Sequence, residues 1–205
     1  EVTGRSLSIN LLLLVVGMFP TTVVAAFGIG VRVFSVIFLP AIAVARGVET
    51  MTGQNIGAGK PDRAGTAADF AAKTMFVALT AIGVVAIFVA EPIVAIFTND
   101  PAVIEEGGNF LRWVAPSFGF IGVMRAYSGS FRGAGKTLTA AAISIFMLAV
   151  IRIPVAYFTS LNIGAEGIWL AFPISNVAGA IIAFIWYRRG TWRTGSVRRP
   201  TPADD

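Results

Sequence analysis

The sequence lacks the side chains that most enzymes use for acid–base, thiol or metal chemistry. Its 205 residues include no histidine and no cysteine. Histidine is the commonest general base and metal ligand, and cysteine thiolates form disulfides and zinc sites. The composition therefore argues against hydrolytic triads, zinc centres and disulfide frameworks. We predict neither a metal site nor an enzymatic activity.

Two glycine-rich stretches have part of a nucleotide-binding pattern. Residues 133–137 read Gly-Ala-Gly-Lys-Thr and end like a phosphate-binding loop, but the pattern needs an earlier glycine where this chain has Ser130, and a preceding strand. Residues 53–61 lack the dinucleotide pattern. We interpret both as tight cytoplasmic connections, in which glycine permits a left-handed backbone and Pro61 opens the next helix. No nucleotide binding is predicted.

Three arginines lie inside apolar stretches, where a charge is expensive. A guanidinium at mid-membrane costs about 2.5–3.5 kcal/mol on insertion scales, so such residues usually face a wet cavity or a partner. Arg112 is close enough to the glutamates at 105–106 to reach the outer interface with them. Arg32 is expected either to bond its helix to a neighbouring loop or to line a gate. Arg152 lies just before Pro154 and is predicted to bond a carbonyl that the proline frees.

These charges must be positioned by apolar helices, because apolar residues dominate the chain. Hydrophobic residues make up 56% of it and charged residues 13%, whereas an ordinary soluble domain has about a quarter charged residues. A transmembrane helix needs about 20 predominantly apolar residues. We predict an all-α integral membrane protein, a bundle of six transmembrane helices at residues 7–17, 22–44, 74–97, 108–124, 138–158 and 168–186.

The two ends of the chain depart from this pattern. The first segment is short and the chain opens with Glu1 rather than Met, which predicts a truncated first helix in a piece of a longer protein. Residues 1–190 are predicted to form one helical lobe. Residues 191–205 are predicted to be a polar cytoplasmic tail.

Prolines and glycines within the segments predict bends and close helix contacts. A proline removes one backbone hydrogen bond and favours a kink, whereas a glycine lets another helix approach closely. Kinks are predicted at Pro40, Pro116, Pro154 and Pro173, and close contacts at Gly119 and Gly122.

The basic residues fall on one side of the predicted bundle. If each segment crosses once, 13 of the 16 Lys and Arg residues lie at the ends and in alternate connections. They are Arg5, Arg46, Lys60, Arg63, Lys73, Arg125, Arg132, Lys136, Arg188, Arg189, Arg193, Arg198 and Arg199. The opposite connections, at 18–21, 98–107 and 159–167, have none. The positive-inside rule then places both ends in the cytoplasm.

Local charges give two further expectations. Arg46 and Glu49 have the spacing of an ion pair on one helix face. The net charge of +5 is divided among the connections rather than gathered on one polar face, so we predict anionic lipid rather than nucleic acid as the partner.

Four stretches of the sequence together resemble the multidrug and toxic compound extrusion (MATE) transporters. They occur in family order and spacing over nearly the whole chain. The stretches are residues 24–32, residues 53–60 with Arg63 and Ala64, residues 131–137 and residues 164–176. The second contains Gly53, Gln54, Asn55, Gly57 and Gly59, and the third contains Arg132, Gly133 and Gly135.

The resemblance implies a twelve-helix antiporter built from two homologous six-helix lobes that rock against each other. This chain is then the carboxyl-terminal lobe, helices seven to twelve. The implied function is efflux of cationic or amphipathic drugs across the plasma membrane, coupled to inward proton or sodium movement. A lipid-linked oligosaccharide flippase of the same superfamily is the alternative, although such flippases are not expected to share the Gly-Gln-Asn-Ile-Gly-Ala-Gly turn.

The resemblance also implies where coupling and substrate binding occur. Some relatives carry coupling acids in helices seven and ten, but segments 7–17 and 108–124 contain none. The coupling carboxylate is therefore expected in the amino-terminal lobe of the same polypeptide, and no cofactor is predicted. Aromatic rings are expected to stack on drug-like organic cations. The pathway candidates are Arg32, Phe34, Phe38, Arg112 and Phe118.

Overall fold

A computed structural model describes residues 10–194, and this range contains helices and no strand. Helix α1 comprises residues 10–16. The others are α2 (Thr21–Gly57), α3 (Pro61–Phe88), α4 (Ala90–Ala95), α5 (Pro101–Val114), α6 (Phe118–Gly133), α7 (Thr137–Ile145), α8 (Ile153–Ile163) and α9 (Ala165–Arg188). The predicted all-α fold is confirmed.

Four helical stretches in the described range are long and apolar enough to cross a membrane. They are α2, α3, the run Thr137–Ile163 and α9. The predicted segment 7–17 lies partly outside the described residues. The predicted segment 108–124 is divided between α5 and α6, which are joined by a 3₁₀ turn at Ala115–Ser117. The predicted segment 74–97 is likewise divided, between α3 and α4.

Prolines mark two of the interruptions. Pro116 lies in the 3₁₀ turn between α5 and α6, where its missing N–H leaves the preceding turn without its usual bond. Pro154 opens α8 directly after a π-helical segment, Phe146–Arg152, which continues from α7. Pro40 and Pro173 lie inside α2 and α9, which remain continuous helices.

Helix α6 lies at the centre of the packing, against α2, α3 and α9. Glycines make its contacts close. A Cβ on Gly119 would collide with Thr80 of α3, and a Cβ on Gly122 would lie 2.7 Å from Cβ of Met75. A Cβ on Gly129 would collide with the backbone of Ala45 in α2. The predicted close contacts at Gly119 and Gly122 are confirmed.

The packed body continues past α9 into the predicted tail. A 3₁₀ turn, Thr191–Thr194, follows α9. Within it Trp192 is 1% exposed and stacks on Tyr187 with ring centres 5.0 Å apart. Arg193 pairs with Asp62 of α3 at 2.8 Å. The start of the predicted tail is thus held on α3 and α9, and residues 195–205 lie outside the described range.

Candidate functional site

A cavity with two adjoining parts lies between α2, α6, the π-helical segment and α9. The smaller part, the aromatic chamber, has a volume of about 110 Å³ and is lined by Phe34, Phe38, Arg125, Arg152 and Phe172 among others. The larger part, the vestibule, has a volume of about 290 Å³. Both parts share the lining residues Met124, Arg125, Met147 and Leu148.

Three phenylalanine rings form one continuous wall of the aromatic chamber. Phe34 stacks on Phe38 with ring centres 5.5 Å apart, and it meets Phe172 of α9 edge-on at 6.2 Å. Phe118 contacts Phe34 at 5.9 Å from the α6 side and is 1% exposed. Of the predicted aromatic candidates, Phe34 and Phe38 line the chamber, whereas Phe118 supports them from the core.

An arginine lies over the ring at each end of this wall. The guanidinium carbon of Arg125 is 4.5 Å from the ring centre of Phe38, and that of Arg152 is 4.3 Å from the ring centre of Phe172. A guanidinium within about 6 Å of a ring centre is attracted by the electron-rich face. The chamber therefore has an aromatic wall with a positive charge at either end.

Arg152 is also held by hydrogen bonds to α9. Its Nε donates to Oγ of Ser175 at 2.8 Å, and its Nη2 donates to Oδ1 of Asn176 at 2.7 Å. Asn176 in turn donates to Oγ of Ser117 at 2.8 Å. This buried network joins the π-helical segment, α9 and the 3₁₀ turn. The structure thus shows Arg152 bonded to side chains of α9 as well as lying beside Pro154.

Two other predicted pathway residues lie away from the cavity lining. Arg32 is exposed on α2. Arg112 donates from Nη2 to Oε1 of Glu91 at 2.7 Å and so ties α5 to α4. This ion pair forms because α4 folds back beside α5. A transport role for Arg32 and Arg112 stays a prediction.

The predicted glycine-rich turns are shorter than the sequence suggested, because α2 and α6 continue into them. Gly53, Gln54, Asn55 and Gly57 belong to the last turns of α2, and Arg132 and Gly133 end α6. The left-handed glycines are Gly59, at φ 72°, and Gly135, at φ 77°. Each is followed by the same capping bond, from Lys60 N to Asn55 O and from Lys136 N to Phe131 O, both 2.8 Å.

Comparison with known proteins identifies the family. The family model described as MatE matches residues 5–158. The chain belongs to the MatE family. It is 31% identical over 192 residues to the probable multidrug resistance protein YpnP of Bacillus subtilis, covering 94% of this chain and 42% of that protein.

A second relative and a solved structure agree with this assignment. The chain is 28% identical over 166 residues to the FAD transporter of Shewanella oneidensis, covering 81% of this chain and 37% of that protein. The Vibrio cholerae MATE transporter VcmN in its bent form has the same fold, with a TM-score of 0.86 at 21% identity over 90% of this chain and 42% of the other. The chain thus spans less than half the length of each and forms one lobe of a MATE-type protein, as predicted.

The charge count from the sequence missed one of the residues that line the cavity of this MatE lobe. Arg125 was assigned to a cytoplasmic connection, because the apolar run ends at residue 124. The structure places it inside α6, where it lines both parts of the cavity. A sequence signal was present: Gly129 and Gly133 follow Arg125 at helical i+4 spacing, which puts all three on the face that meets α2.

The vestibule of the lobe ends in an ion-pair cluster. Oε2 of Glu49 lies 3.2 Å from Nη1 of Arg46 and 3.2 Å from Nε of Arg132. The predicted pair between Arg46 and Glu49 is confirmed, and Arg132 adds a bridge from α6 to α2. Both arginines line the vestibule. The glycine-motif end of the lobe therefore carries one carboxylate between two guanidinium groups next to the cavity.

Proposed function

We propose that this chain is the carboxyl-terminal lobe of a membrane exporter that moves amphipathic organic compounds outward in exchange for protons or sodium ions. The cavity beside α2, α6 and α9 is the observation that carries the proposal, since ligand sites are concave, mostly apolar and furnished with a few polar groups. Membership of the MatE family supports it. The multidrug-resistance name of the Bacillus relative also supports it, and does not favour the flippase.

The charged residues of the lobe suggest where the coupling ion binds and how the lobe is oriented in the membrane. No Asp or Glu lines either part of the cavity among the described residues, so the carboxylate that binds the coupling ion belongs to the amino-terminal lobe. Secondary transporters bind their substrates where such halves face each other. The lobe sits in the plasma membrane with both its ends in the cytoplasm, on the grounds of its basic connections.

The substrate class follows from the aromatic wall. Planar organic molecules pack on the rings of Phe34 and Phe38. The drug-like organic cations expected from the sequence are candidate substrates, because a cation is attracted to the face of an aromatic ring. The relative named for FAD suggests that aromatic compounds bearing negative charge belong to the candidate substrates.

The test is efflux of fluorescent dyes from drug-sensitive cells that express the full-length gene. A panel of cationic, neutral and anionic dyes is loaded, and the proton and sodium gradients are collapsed separately. Export of any dye that stops when one gradient collapses supports a coupled exporter and names its ion. Efflux no faster than in empty-vector cells, despite normal membrane expression, would contradict the proposal.

A further inference from the structure

The face of α9 that points away from the cavity carries a long apolar groove. Phe172 and Asn176 line the aromatic chamber, and a residue two positions further along a helix lies on nearly the opposite side. A groove of about 420 Å³ runs along that opposite side. It is lined by Leu170, Pro173, Ile174, Val177, Ala178 and Ile181. Because α9 is long and apolar enough to cross a membrane, the groove lies at the depth of the lipid chains.

A smaller recess continues the groove at the basic end of α9. The recess has a volume of about 160 Å³ and is lined by Ile182, Ile185, Trp186 and Arg189. Side chains four positions apart lie one above the other on a helix, so Ile182 follows Ala178 and Ile185 follows Ile181. The groove and the recess therefore form one surface, which is aliphatic along most of its length and ends at a guanidinium.

The dimensions of this surface match a phospholipid in one leaflet. Ala178 precedes Arg189 by eleven residues, which is about 16 Å along the helix axis, and the hydrocarbon core of a bilayer is about 30 Å thick. An acyl chain that starts near Arg189 therefore ends beside the small side chain of Ala178, near the bilayer centre. Trp186 lies just below Arg189, and tryptophan favours the level of the headgroups.

The two arginines at the end of α9 have different surroundings. Arg188 lies over the ring of Phe184 at 5.7 Å and lines a separate polar cavity with Asp62 and Asp69. Arg189 is exposed and lines the recess, whose described lining contains no Asp or Glu. Carboxylates repel a phosphate near Arg188, whereas a guanidinium donates a planar pair of hydrogen bonds to phosphate oxygens. Arg189 is therefore the arginine that suits an anionic headgroup.

We propose that this face of α9 binds an anionic phospholipid, with its phosphate at Arg189, its glycerol region beside Trp186 and an acyl chain in the groove. The lipid belongs to the leaflet at the basic end of α9, which is the cytoplasmic leaflet in the proposed orientation. This inference goes beyond the exporter function, because it needs only that α9 crosses a membrane. Export of any substrate therefore neither supports nor contradicts it.

The test is quenching of a fluorophore in the groove by lipids with brominated chains. Ile181→Cys is introduced into a full-length transporter whose other cysteines have been replaced, labelled with bimane and reconstituted into phosphatidylcholine vesicles. Brominated phosphatidylglycerol is the anionic probe, and an equal fraction of brominated phosphatidylcholine is the zwitterionic one. We expect position 181 to prefer the anionic lipid by about fivefold, as for one arginine near an anionic headgroup. Equal quenching by the two lipids would overturn the inference.

Matched variants assign the preference to Arg189. Arg189→Gln is expected to abolish the preference at position 181, whereas Arg188→Gln removes the same charge from the neighbouring residue and is expected to keep it. A bimane label in Val85→Cys, at an exposed position of α3, is expected to show no preference. The same preference at position 85, or the same response to both arginine variants, would overturn the inference. If a variant does not fold, the comparison of positions 181 and 85 still decides.

Discussion

Two exposed arginines at the helix ends and the buried Arg152 of the cavity make different contacts. At the ends, Arg112 pairs with Glu91 at 2.7 Å and Arg193 with Asp62 at 2.8 Å. In the cavity, Arg152 lies over the ring of Phe172 and bonds two neutral side chains of α9. A carboxylate forms an ion pair at the exposed surface, whereas the ring and the two neutral side chains hold the guanidinium of Arg152 in one buried position. The exposed pairs join helix ends, whereas the buried contacts of Arg152 join the π-helical segment to α9 beside the cavity.

The largest effect is expected from removing Arg152. In Arg152→Met the buried Ser175 and Asn176 each lose their charged donor, and an orphaned buried polar group costs about 1–3 kcal/mol. Thermal unfolding of the full-length transporter in detergent should show a clear loss of stability together with loss of export. Unfolding at the wild-type temperature would show that the network does not hold the π-helical segment to α9.

Next in size is the effect of filling the contact between α6 and α2. In Gly129→Ala the new methyl group would collide with the backbone of Ala45, and forced overpacking costs about 1–3 kcal/mol. The matched control is Gly47→Ala in α2, where a Cβ meets nothing within 4 Å and alanine favours the helix by about 0.5–1 kcal/mol. The unfolding temperature is expected to fall in Gly129→Ala and to rise in Gly47→Ala. Equal shifts in the two variants would contradict the close contact between α6 and α2.

The smallest effect is expected from the exposed pair of Arg112 and Glu91. The side chains are 41% and 46% exposed, and such pairs contribute about 0.2–1 kcal/mol. A double-mutant cycle with Arg112→Gln and Glu91→Gln measures the coupling through unfolding of the full-length transporter, and added salt should reduce it. A coupling as large as the loss in Arg152→Met would remove the distinction between the exposed ion pairs and the buried contacts of Arg152.

Local features of the fold were predictable from the sequence. The apolar segments predicted helices, and the spacing of Arg46 and Glu49 predicted their pair. The glycine-rich stretch at 53–61 predicted a left-handed helix ending, which the structure has at Gly59. Each of these depends on residues close together in the chain. The interruption at Pro116 follows from the chemistry of a single residue.

Contacts between distant residues were not predictable. Glu91 and Arg112 are 21 positions apart, and no periodicity brings them together before α4 folds beside α5. Arg125 was misplaced because the apolar run ends at a charge, whereas the helix continues through an arginine that faces a cavity. The π-helical segment that positions Arg152 had Pro154 as its only local signal.

The central claim, that the cavity of this lobe receives the substrate, is tested by site-specific thiol labelling. Ser35 lines the aromatic chamber, and this lobe contains no cysteine. Ser35→Cys is introduced into a full-length transporter whose other cysteines have been replaced, with Thr66→Cys on α3 as the exposed control. The account predicts that an exported dye slows labelling at position 35 and leaves labelling at position 66 unchanged. Labelling at position 35 that proceeds equally fast with and without saturating dye would contradict it.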